Sequence, residues 1–120
     1  MPFLILVSAI QLKAQTKIDT ANDFVEACQS VINYETTHKD EITDTINVGM
    51  CSGYLDAFFQ FSPIIRDHYK IEDCSPDKVT YGQIIKIFIK YVNEHPEQLH
   101  MRAWVILVAA LRNAFPCSSK

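Results

Sequence analysis

Four cysteines (Cys28, Cys51, Cys74, Cys117) and four histidines (His38, His68, His95, His100) are the residues of this 120-residue chain best suited to redox, metal or nucleophilic chemistry. Their spacing argues against all three. No C-x-x-C pair occurs, which disfavours a zinc ribbon or a thioredoxin-type centre. His95 and His100 are five apart and would not share a helix face. A Cys–His nucleophile needs a free thiol, which an even set of paired cysteines does not supply. The adjacent carboxylates Asp40/Glu41 and Glu72/Asp73 read as solvated surface, not as two acids opposed across a cleft. No catalytic residue, metal ligand or cofactor is therefore expected, and the cysteines read as two disulfides.

Disulfides imply an oxidising compartment. Residues 1–14, MPFLILVSAIQLKA, carry one charge, Lys13, and an apolar run from Phe3 to Ile10 broken only by Ser8. The run has the length of a signal-peptide core and is too short to span a bilayer. Ala14 suits cleavage, although no basic segment precedes Phe3 and Leu12 is bulky for its place. A signal over 1–14 and a single domain over 15–120 are expected, with no membrane segment after cleavage. A formal charge of -3 and a pI near 5.7 disfavour nucleic acid.

The positioning elements read as four helices, an all-α, small, disulfide-stabilised domain. The first spans about 21–35, with Thr20 as N-cap, Asp23 in the first turn, and Phe24, Cys28, Val31 and Ile32 on one face. The second spans about 44–61, with Cys51, Tyr54, Leu55, Phe58 and Phe59 in a stripe; Gly53 within it suggests close approach of a neighbouring helix. The third opens on the capping pattern Thr80-x-x-Gln83 and buries Tyr81, Ile84, Ile85, Phe88 and Val92. The fourth enters at His95-Pro96-Glu97, runs to Pro116, and is central because Ala103 to Leu111 is wholly apolar. Trp104, inside that run, reads as core.

Cys28 and Cys51 fall on the inward faces of neighbouring helices, which makes a bridge between them natural and leaves Cys74 to pair with Cys117. The second bridge would tether the stretch Pro63 to Val79, read as a long loop of the kind that often carries function. Arg66, Asp67, His68, Tyr69, Lys70 and Ile71 within it combine an aromatic, an aliphatic and charges, the chemistry of a protein-binding hot spot. Residues 18–44 hold seven carboxylates against Lys39 alone, an acidic surface that would steer a basic protein partner.

The run Cys51-Ser52-Gly53-Tyr54-Leu55, the segment Val79-Thr80-Tyr81-Gly82-Gln83, the entry His95-Pro96-Glu97 and the ending Ala109-Ala110-Leu111 to Phe115-Pro116-Cys117 together resemble the Rap/Tai family. These are immunity proteins that neutralise peptidoglycan amidase effectors of the type VI secretion system. The resemblance covers about residues 20–117 and implies an exported, disulfide-containing helical protein of the periplasm that is not an enzyme. It also implies a cognate amidase as partner, occlusion of that amidase's Cys–His cleft, and in some members a homodimer. Cys51 and Cys117 match family cysteines; Gly53-Tyr54 and His95-Pro96 match positions that look structural. A competing reading from composition alone is a periplasmic chaperone-like or stress-response protein, which would expose apolar surface and loosen as its carboxylates protonate.

Overall fold

The computed structural model describes residues 17–33 and 41–118; the expected signal and His38 lie outside the described residues. The described residues form four α-helices, α1 (Ala21–Asn33), α2 (Glu41–Tyr69), α3 (Tyr81–Glu94) and α4 (Ala103–Ala114), with a 3-10 turn over Pro96–Gln98. Among the described residues there is no strand, only an isolated bridge between Thr20 and Arg102. No described helix is long and apolar enough to cross a membrane.

α1 begins with a reciprocal cap. Thr20 Oγ1 accepts the Asp23 N–H at 3.2 Å, and Asp23 Oδ2 accepts the N–H groups of Thr20 and Asp19 at 3.0 and 3.1 Å. Three backbone donors are thus satisfied where the helix has no carbonyls to offer. α3 starts in the same way, with Thr80 Oγ1 accepting the Gln83 N–H at 3.1 Å.

α2 is longer than its sequence pattern suggested. Pro63 was expected to open a loop, yet it lies inside the helix. A proline there deprives the carbonyl four residues back of its donor. That carbonyl belongs to Phe59, and the buried Ser62 hydroxyl donates to it at 3.3 Å. Arg66 Nε in turn donates to the Ser62 carbonyl at 3.3 Å. The Ser62 hydroxyl therefore supplies the donor that Pro63 removes, and the helix continues for almost two more turns.

The helix stops at Lys70, which has φ 55°, while the Ile71 N–H donates to the Arg66 carbonyl at 2.9 Å. This is the left-handed helix end that usually employs glycine. A lysine held in that conformation costs about 1–2 kcal/mol, which glycine avoids. Lys70→Gly should therefore stabilise the fold by about 1 kcal/mol, read as a raised denaturation midpoint in urea with an unchanged slope. The expected loop Pro63–Val79 thus contracts to residues 70–80.

The fourth helix begins later than expected. Pro96–Gln98 forms its own 3-10 turn and α4 starts only at Ala103. The interruption has a cause in the first residues of the fold. Ala21 N–H donates to the Met101 carbonyl at 2.8 Å, Asn22 N–H to Leu99 at 3.0 Å, and Ala103 N–H to Asp19 at 2.9 Å. Residues 19–22, at the entry to α1, thus claim backbone groups that a continuous helix would have kept. An exposed Arg102–Asp19 ion pair at 3.3 Å lies beside it. His95 stands at the entry of the 3-10 turn, as expected of a helix-entry residue, and also closes α3: its ring stacks on Tyr91 at 4.2 Å and Nδ1 lies 2.9 Å from the Tyr91 carbonyl.

The core is formed where α1, α2, α3 and α4 converge. Phe24, Leu55, Ile85, Phe88, Ile106 and Leu107 are fully buried, with Phe24 and Phe88 rings 4.4 Å apart. Cys28 and Cys51 are bonded within it, at a Cα–Cα distance of 5.0 Å. Trp104 packs at the core's edge, half-buried. Gly53 does not admit a neighbouring helix of the same chain: it is exposed, and a Cβ built there meets nothing within 4 Å.

Tyr54 couples this core to pH. Burial raises its phenol pKa above the usual 10.0, only partly offset by the hydrogen bond to the Trp104 backbone; Asp19 pushes it further up and Arg102 down. A raised folded-state pKa means that the unfolded chain ionises first. Stability is therefore complete below pH 10 and falls as pH rises from 10.0 through the folded value. Tyr54→Phe should flatten that alkaline limb in thermal melts recorded across the range.

Candidate protein-binding surface

The six residues singled out from the sequence occupy the last turn of α2 and its exit, and they divide into two groups. Arg66 and Ile71 are half-buried and hold the exit in place. Arg66 Nη1 contacts Asp73 Oδ2 at 2.6 Å, and Asp73 Oδ1 accepts the Ser75 N–H at 3.0 Å. Ile71 lines a groove with Phe58, Ile65, Val108 and Phe115. Asp67, His68, Tyr69 and Lys70 face outward.

Tyr69 is 57% exposed although its ring lies 6.1 Å from that of Trp104 and 4.8 Å, edge to face, from that of His68. The aromatic is thus propped from behind and offered in front. Beyond it, Cys74 and Cys117 are bonded at a Cα–Cα distance of 5.3 Å, joining the exit of α2 to the chain after α4. Both of these cysteines are exposed, in contrast to the buried pair. Glu72, Cys74 and Cys117 form the one acid–thiol grouping of metal-site dimensions among the described residues. Its two sulfurs are bonded to each other and so are not thiolate ligands.

Two further outward side chains escaped the sequence reading because the helix was ended at Phe61. Phe61 is 59% and Ile64 65% exposed. With α2 continued through Pro63, Phe61, Ile64 and His68 fall at spacings of three and four on one face. On the other side of α2, Phe59 stacks on Tyr81 with rings 5.9 Å apart, and the Tyr81 hydroxyl donates to Asp56 Oδ1. That bond to the carboxylate is the main reason the Tyr81 pKa lies above its usual value.

A small helical domain tied by one buried and one exposed disulfide, with outward aromatic and aliphatic side chains on a braced helix end, is built as a binding module. Comparison with protein families places residues 20–117 among the Rap1a immunity proteins, and the chain belongs to that family. Searches among curated proteins and among solved structures give no match.

Proposed function

We propose that this chain is a periplasmic immunity protein that binds a peptidoglycan amidase effector of the type VI secretion system and occludes its active-site cleft, protecting the cell that makes it. Family membership supports an immunity role; the observation that supports the mode of action is the exposed end of α2. Tyr69, His68 and Lys70 project from a turn held by the Arg66–Asp73 pair, the Schellman-type bond to Arg66 and the Cys74–Cys117 bridge. Bracing lowers the ordering cost that a mobile loop would add on binding. The two disulfides suit an oxidising compartment and an export signal at 1–14. A second copy of the chain is a further partner in this reading.

The double variant His68→Ala/Tyr69→Ala tests it. Both side chains are exposed and their loss leaves the core intact, so the melting temperature should change little. Affinity for the cognate amidase, measured by calorimetry, should fall at least about tenfold, as for truncation of a hot-spot aromatic. Unchanged affinity would move the interface away from the end of α2.

A further inference from the structure

We propose that the groove between α2, α3 and residues 73–79 receives an arginine side chain of the partner protein, seated on the Phe59–Tyr81 ring pair and bonded to Asp77. The inference rests on the reading above only in taking the partner to be a protein, and its first test uses no amidase.

The groove has a volume of about 390 Å³. Pockets that hold small ligands run to about 300–1,000 Å³, so a long side chain has room here. Phe59, Val79, Tyr81 and Ile84 give it an apolar lining, and Asp73 and Asp77 line it as well; among the described residues no Lys or Arg does. Other grooves of the molecule have a different character. The one under Ile71 mixes Arg66 and Arg112 with Glu72 and Asp73 and holds only about 40 Å³. In the one between α1 and α3, Lys86 and Lys90 outnumber Glu94. Charge complementarity therefore assigns a cation to the first groove.

The acids of the groove are not equivalent. Asp73 is engaged on both oxygens, by Arg66 at Oδ2 and by the Ser75 N–H at Oδ1. Asp77 is exposed and forms no ion pair or hydrogen bond among the described residues. Lys78, next in sequence, does not line the groove. A carboxylate with both oxygens open can accept two parallel N–H bonds from a guanidinium, a geometry that an ammonium group cannot match.

The rings supply the other half of the recognition. Phe59 and Tyr81 are each 37% exposed, with centroids 5.9 Å apart and planes inclined by 14°. Near-parallel rings at that separation are displaced sideways, which leaves part of each face uncovered. The Tyr81 hydroxyl donates to Asp56, and donation to a carboxylate enriches the ring in electron density and so in attraction for a cation. A guanidinium is flat enough to stack on such a ring while its edge bonds a carboxylate. The same groove thus offers a surface for the plane of an arginine and an acceptor for its edge.

Titration of the oxidised protein with N-acetylarginine amide, followed by heteronuclear NMR, is the direct test. The expected result is a saturable set of shift changes in the millimolar range, centred on Phe59, Asp77, Val79 and Tyr81. N-acetylcitrulline amide, which has the same shape without the charge, should bind at least about fivefold more weakly. Asp77→Asn and Phe59→Leu should each weaken the arginine probe by about threefold or more, and because both positions are exposed the melting temperature should change little. Against an amidase that binds the parent protein, Asp77→Asn should lower the affinity by about fivefold. No saturable change, changes centred elsewhere, equal binding of the citrulline probe, or indifference of the arginine probe or of that amidase to Asp77→Asn would overturn the proposal. An amidase that does not bind the parent protein at all counts against the inhibitory reading and leaves the arginine site to be decided by the titration.

Discussion

Cys28→Ala/Cys51→Ala is expected to destabilise the domain by about 3–5 kcal/mol, the largest effect of any local change in this chain. The bridge closes 23 positions, and constraint of the unfolded chain by such a loop is worth about 3 kcal/mol. Packing adds to the loss, because both sulfurs are fully buried beside Phe24 and Leu55 in the cluster that joins α1 to α2. Small domains have only about 5–15 kcal/mol in total. The double variant should consequently melt well below the parent or fail to fold at 37 °C. Circular dichroism melts of the two proteins, both kept oxidised at Cys74–Cys117, measure the difference.

The second large effect is on function and comes from the other bridge. Cys74 and Cys117 are exposed, so a thiolate can reach them without unfolding the protein, whereas the Cys28–Cys51 pair is shielded until the core opens. Mild reduction should open Cys74–Cys117 first, leaving helicity nearly intact. Residues 71–80 should then become the first site of proteolysis, and affinity for the partner effector should fall by about tenfold or more as the braced end of α2 loses its tether. Alkylation followed by mass spectrometry reports which cysteines are released at each step. Release of Cys28 and Cys51 before Cys74 and Cys117, or first cleavage outside 71–80, would contradict this order.

The all-α class and the core-facing stripes were legible from period alone, because Phe24 and Cys28, Cys51, Leu55 and Phe58, and Ile84, Ile85, Phe88 and Val92 recur at spacings of three and four within their helices. Thr20 and Thr80 were legible as caps for the same reason: the chemistry is local. Pro63 misled, since the carbonyl it leaves without a donor, that of Phe59, is met by the Ser62 hydroxyl, a bond that no pattern advertises. The break before Ala103 was hidden for a different reason. It arises from Asp19, Ala21 and Asn22, about eighty residues away in sequence, which pair with the backbone of Ala103, Met101 and Leu99 that a continuous helix would have used. Of the candidate surface, residues 66–71 were marked by composition, but helix geometry was needed to separate Arg66 and Ile71, which brace, from His68, Tyr69 and Lys70, which project. Phe61 and Ile64 became visible only once α2 was carried past its proline.

The contact between the start of α1 and the start of α4 also sets the order in which the molecule can be completed. Asp19 and Arg102 are 83 positions apart, so a chain that appears N-terminus first has to wait for nearly its whole length before α1 acquires its last backbone partners. Loop-closure entropy makes such long-range pairing late and slow. The Cys28–Cys51 bond, closing only 23 positions, can form well before that moment, and Cys74–Cys117 only after it. The pairing of α1 with the entry to α4 thus divides the formation of the two bridges, one able to close before it and the other only after it.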